Sequence, residues 1–211
     1  MQLLAMLTML IDHIGYMFYP ELKVLRWIGR LAMPLYAYGI AVGYVKTSNL
    51  RGYMIRLVII AGLTQIPYMF AFHTWTINIV GTFIFSLGVL WVIKQIPPFV
   101  GKLMIVAAAV ILLEIFPFEY GSYALLLILI YSYTSTNWML TAHVGLNFLF
   151  IFYKGWIMAM ASAASTAILS LYPGFAGLSR RLIPRWLWLG FYPSHLLVLV
   201  VVREVIPYVS W

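Results

Sequence analysis

Apolar stretches about as long as a bilayer-crossing helix follow one another along this chain, broken only by short turns. A helix needs roughly 20 apolar residues, within about 17–25, to cross the hydrocarbon of a membrane. Measured with that ruler the sequence divides into about nine segments: 2–19, 28–46, 52–72, 77–94, 101–117, 121–135, 138–153, 156–173 and 190–206. Turn and charge signals separate them: Pro20 to Lys23, Lys46 to Arg51, Pro97-Pro98, Pro117 to Gly121, Lys154-Gly155, and the longer polar stretch Gly174 to Arg185. Composition agrees. Hydrophobic residues make up 64% of the 211 and charged residues 9%, whereas a soluble domain is about half apolar and about a quarter charged. A water-facing globule of this size lacks the polar residues to cover itself. The expected fold is therefore all-α, a polytopic transmembrane helix bundle of about nine spans, one domain over 1–211, with the lipid bilayer as its partner. Segments six and seven are short and weakly separated, which leaves eight spans with one long tilted helix as an alternative. Residues 1–19 lack a basic start and a small-residue cleavage site, so they read as a retained first helix in a multi-pass cell-membrane protein.

The net charge of +8 does not point to nucleic acid, because the thirteen cations are scattered among junctions and form no basic face. Topology explains them better. Lys46, Arg51 and Arg56, then Lys94 and Lys102, then Arg180, Arg181 and Arg185 fall in the even junctions. The positive-inside rule puts those junctions and the N-terminus in the cytoplasm. The first junction breaks the pattern with Lys23, Arg26 and Arg30. Either the orientation is reversed or those residues have another task. There is no cysteine, which excludes thiolate catalysis, disulfides and Cys-ligated zinc. The four histidines have no metal-binding spacing, so no metal is expected.

An ionisable group at membrane depth is expensive and marks a candidate site. Asp12-His13 lies about two-thirds along the first segment. It is either hydrogen-bonded glue between helices or a base, since a neutral imidazole titrates near physiological pH. Helix neighbours point about 100° apart, so Asp12 cannot brace the ring of His13, and each needs a partner elsewhere. For Asp12 that partner is expected to be an arginine such as Arg30. Arg26 and Arg30, at i and i+4, share a face and could grip a phosphate, or they could anchor a helix end at the headgroups. Tyr36 follows in the same apolar run. Asn78, Glu114, Glu119 and Arg203 fall toward the outer half, and Arg56, Tyr192 and His195 toward the inner half. Arg203-Glu204 and His73 read as interfacial, and a lone histidine such as His195 or His143 is often a satisfied structural residue.

Several of these stretches together resemble the TraX family, whose founding member is the F-pilin acetylase. They are Met9-Leu10-Ile11-Asp12-His13-Ile14-Gly15, Arg26-Trp27-Ile28-Gly29-Arg30 running to Pro34-Leu35-Tyr36, Arg56-Leu57, Gln65-Ile66-Pro67-Tyr68, Asn78 through Thr82, Glu119-Tyr120-Gly121, and Phe191-Tyr192-Pro193-Ser194-His195-Leu196-Leu197. The resemblance covers nearly the whole chain. It departs from the family pattern at Glu119, where an aspartate is expected, and at Gln65, where a glutamate is common.

What the resemblance implies is an acetyl-CoA-dependent acetyltransferase of the wider transmembrane acyltransferase type. His13 is then the catalytic candidate and Asp12 its companion. Arg26, Arg30, Arg56, Tyr192 and His195 become candidates for binding the CoA donor. Asn78, Glu119 and Tyr36 become candidates for the acceptor or the oxyanion. The acceptor would be a peptide or small amine, and the pilin substrate itself does not carry over. The rival reading is a proton-coupled transporter of a small anion using Asp12, His13 and Arg30.

Overall fold

The computed structural model describes residues 1–172, 174–175 and 183–205; Arg180 and Arg181, used above for orientation, lie outside them. The described residues are helical apart from turns and one isolated bridge between Ile77 and Phe118. In chain order the helices are α1 (Gln2–Met17), α2 (Lys23–Gly29), α3 (Ala32–Lys46), α4 (Leu50–Phe72), α5 (Ile79–Gln95), α6 (Phe99–Ile115), α7 (Gly121–Tyr133) and α8 (Thr136–Lys154). A 3-10 turn (Ile157–Ser162), α9 (Ala163–Leu171) and α10 (Arg185–Val205) follow.

Local sequence explains most of these limits. Asn49 starts α4 by accepting the Gly52 N–H at 2.8 Å, and Asn78 starts α5 by accepting the Val80 and Gly81 N–H groups; a short polar side chain at this position satisfies donors the first turn leaves open. Pro98 precedes α6, where a residue without N–H costs nothing. The expected second segment, 28–46, is divided: Arg30-Leu31 breaks it, leaving a short α2 ahead of α3. The last helix begins at Arg185, five residues before the expected 190, which lifts Tyr192 and His195 more than a turn further from its start.

The interior is apolar, and the outward faces are apolar as well. The centre is made by α3 and α7, where Leu35, Ala37, Ala41, Ala124, Leu125, Leu127 and Ile128 are buried. The outward faces carry large exposed apolar side chains: Val58, Ile59, Leu63, Ile66 and Phe70 on α4, Leu103, Met104, Ile111 and Ile115 on α6, Val198 and Val201 on α10. Such continuous apolar surface is suited to lipid. By length and composition, Leu50–Phe72 and Trp186–Val205 can cross a bilayer, and only 28% and 22% of their apolar windows are buried inside the protein. Core helices of a soluble domain would be mostly enclosed. Other apolar helices, Ile79–Gln95 and Gly121–Tyr133 among them, are shorter. Among the described residues the structure is all-helical, and its outward apolar faces are those of a membrane protein.

One loop clip fixes the far end of the bundle. The Ile77 N–H donates to Pro117 O at 2.7 Å and the Glu119 N–H to Ile77 O at 2.9 Å. That exchange ties the start of α5 to the turn before α7, and so fixes Asn78, Glu119 and Tyr120 relative to each other.

Candidate functional site

Asp12 is held by both arginines of the 26–30 stretch. Arg30 reaches both carboxylate oxygens, its Nη2 lying 2.9 Å from Oδ1 and 2.8 Å from Oδ2. Arg26 Nη1 lies 2.9 Å from Oδ2 and also donates to the Asp12 backbone oxygen at 3.1 Å. The i, i+4 spacing on α2 brings two guanidinium groups to one carboxylate. Gly29 between them is dictated by the same contact, because a Cβ there would overlap the Asp12 side chain. The three cations of the first junction thus include two whose task is to pair with a buried acid. Arg26 and Arg30, expected as grips for a phosphate, are directed at Asp12, and Arg30 continues to the Tyr120 hydroxyl through Nη1 at 2.9 Å.

His13, one position on, faces the other way and meets α10. Its Nδ1 lies 2.8 Å from His195 Nε2, with the two rings nearly parallel at 7° and 5.0 Å between centroids. His195 Nδ1 lies 2.6 Å from the Phe191 carbonyl. A carbonyl only accepts, so His195 Nδ1 carries a proton, and in neutral His195 the Nε2 is then the acceptor. His13 Nδ1 must therefore donate. In neutral His13 the lone pair is left on Nε2, which has no hydrogen-bond partner among the described residues. Two residues 182 positions apart thus set the tautomer of the candidate base. His195 was expected in the inner half with the donor-binding residues; the early start of α10 carries it up to His13.

His13 and Asp12 line a cavity of about 930 Å³. Glu119, Tyr120 and Tyr192 line it with them. Its walls are apolar, with Met9, Met33, Leu57, Ile60 and Phe83, and toward the start of α1 it is lined by Gln2, Lys46, Tyr53 and Arg56. Tyr36 also lines it, stacked on Trp188 at 4.9 Å and 12°. Arg56 lies over the Tyr53 ring at 5.9 Å, and among the described residues neither it nor Lys46 has an acidic partner within 4 Å.

Asn78 stands apart from this picture. Its amide donates to Ala61 O and Gln65 Oε1, both at 2.8 Å, and its oxygen caps α5. It is fully buried and has no N–H to offer a reacting group. Glu119 Oε2 accepts the Ile79 N–H at 2.8 Å while its backbone oxygen accepts from Thr82. Arg203 caps the end of α4 through the Phe70 and Ala71 carbonyls. His143 is fully buried and bonded to Tyr123 and Thr166, a paired polar knot between α7, α8 and α9. Sequence reasoning passed over Lys46, seen only as a topology cation, and Tyr120, seen only as part of a turn.

The TraX protein family profile matches residues 1–203. The chain belongs to the TraX family. A further similarity is to the uncharacterized protein RP591 of Rickettsia prowazekii (strain Madrid E), 54% identical over 35 residues, which is 17% of this chain and 14% of that protein. The chain therefore spans well under two thirds of that relative. No solved structure matches. Within this TraX protein, the arginine-glycine-arginine stretch and the Asp-His pair become one structural unit, with the aspartate clasped by the arginines and the histidine turned toward the tyrosine-proline-serine-histidine stretch of α10.

Proposed function

We propose that this TraX protein is an integral membrane acetyltransferase that moves an acetyl group from acetyl-CoA to an amine, a peptide or protein N-terminus, with His13 as general base. The observation that carries this reading is the His13 Nε2 lone pair, left unengaged by the His195 hydrogen bond in a residue that lines a cavity with a cationic end. General bases need a pKa near the operating pH and an unblocked nitrogen within reach of the proton they take.

The length of the cavity supports an elongated donor of this kind. Gln2 and His13 both line it and are eleven residues apart on α1, which at a rise of 1.5 Å per residue is about 16 Å. Lys46 and Arg56 at the near end would hold the CoA phosphates, and the apolar middle would take the uncharged arm. An acetyl thioester would then lie beside His13 at the far end. Enclosure by helices keeps water from the thioester and strengthens polar interactions there. The rest of the machinery is positional: Asp12 with Arg26 and Arg30 fixes the packing of α1 on α2. We further propose that the chain crosses the membrane several times with its N-terminus in the cytoplasm, so that the cationic end opens to cytoplasmic acetyl-CoA. A proton-coupled carrier would need Asp12 to exchange protons, yet both of its oxygens already accept from guanidinium groups.

The test is purified protein in detergent or nanodiscs, with acetyl-CoA and a tripeptide bearing a free amino terminus. His13→Ala should abolish transfer while acetyl-CoA still raises the melting temperature. Lys46→Ala with Arg56→Ala should remove that thermal shift. Full transfer by His13→Ala would rule out the assigned base.

A further inference from the structure

Tyr120 has the backbone of a residue held in place against its own preference. It sits at φ 60°, ψ −14°, left-handed, immediately before Gly121 at φ 50°. For a bulky aromatic residue this conformation is an outlier costing about 1–3 kcal/mol, and such strain persists where the surroundings over-determine it. The surroundings are the clip that binds Glu119 to Ile77, the edge-on ring of Trp156 at 6.0 Å, and the guanidinium of Arg30. The strained turn sends the hydroxyl to Arg30 at the end of the cavity where His13 lies.

The direction of that hydrogen bond matters. A guanidinium has no acceptor, so Arg30 Nη1 donates into the Tyr120 oxygen, and the phenolic hydrogen is turned elsewhere. Among the described residues nothing accepts it. Arg30 is itself held by both oxygens of Asp12, so carboxylate, guanidinium and phenol form one chain that ends in a free O–H on the cavity wall. Donation into a phenol oxygen polarises its O–H and strengthens what it donates in turn. His13 and Tyr120 both line this cavity, the first with an unengaged ring nitrogen and the second with an unengaged O–H. Those are the two complementary groups that amine acylation needs.

We infer that Tyr120 is the donor to the carbonyl oxygen of the acyl group, a catalytic residue alongside His13, with Arg30 as the residue that positions and polarises it. The inference rests on the acyl-transfer reading. The amine nitrogen attacks the thioester carbon and its proton passes to His13 Nε2. The C=O electron pair moves onto oxygen, where the Tyr120 O–H meets the charge. When the C=O bond reforms, the C–S bond breaks and the departing thiolate takes the proton from His13. Asn78, with both amide hydrogens engaged, cannot fill this place.

The experiment measures acetyl transfer from acetyl-CoA to the tripeptide by the purified full chain. Tyr120→Phe keeps the ring packing and removes only the hydroxyl. It should lower kcat by about 10²–10³, the usual loss for one such donor, while the acetyl-CoA thermal shift is retained. Full-chain protein carrying 3,5-difluorotyrosine at position 120, whose phenol is more acidic, should be active and move the alkaline limb of the pH–rate profile to lower pH. A purely structural tyrosine would leave that limb in place. Wild-type turnover by Tyr120→Phe, or an unmoved alkaline limb with difluorotyrosine, overturns this inference and leaves His13 untouched. If the wild-type protein binds acetyl-CoA yet acylates no amine, the acyl-transfer reading falls and this inference with it.

Discussion

Replacing Asp12 with alanine leaves two guanidinium groups converging on an empty point. In the native protein Arg30 gives that carboxylate two charge-assisted bonds and Arg26 one, and the three side chains are 12%, 19% and 23% exposed. Removing one partner of a fully buried pair costs about 3–5 kcal/mol, chiefly because a charge is stranded. The partial exposure here lowers that to about 2–3 kcal/mol. At about 2–4 °C per kcal/mol for a chain of this length, the melting temperature should fall by about 4–12 °C. The assay is thermal unfolding in detergent of Asp12→Ala, Arg26→Met, Arg30→Met and the two doubles with Asp12→Ala. Coupling should be larger for Asp12 with Arg30 than with Arg26, because Arg30 spends two bonds on the carboxylate. Arg26 also keeps its bond to the Asp12 backbone oxygen in the alanine variant. An Asp12→Ala melting temperature within about 1 °C of wild type, or equal coupling to both arginines, would refute the account of the site as a clasped acid.

Three further outcomes follow from named contacts. His195→Phe removes the acceptor that holds His13 Nδ1–H; kcat should fall at least about tenfold with acetyl-CoA binding intact, and an unchanged kcat would show the tautomer is set by something else. Gly29→Ala drives a methyl group into Asp12, so both melting temperature and activity should drop, and a neutral result would mean α2 can move away from α1. Asn78→Ala removes the α5 cap and strands buried partners, costing about 2 kcal/mol or more of stability; kcat per folded molecule should stay within about threefold, and a hundredfold loss in stable protein would return Asn78 to the oxyanion role.

The bilayer environment and the all-helical class followed from hydropathy alone, because a run of apolar residues has the same affinity for hydrocarbon whatever it packs against. Turn chemistry is equally local, which is why Pro98 and Asn49 mark real helix limits and why Gly155 ends α8 in a left-handed residue. The need for separate partners to Asp12 and His13 also came from helix geometry, and the arginine pair was visible as an i, i+4 spacing. The partner of His13, the divided second segment and the strained backbone of Tyr120 were not visible. Each depends on where distant elements meet: His195 reaches His13 only because α10 starts early and packs beside α1, and Tyr120 turns only because the Ile77 clip fixes its loop. Sequence alone assigned residues to lipid or protein, since transfer free energy belongs to each side chain. Which nitrogen keeps its lone pair and which hydroxyl its hydrogen was decided by tertiary structure, since a proton's position depends on the atom across from it.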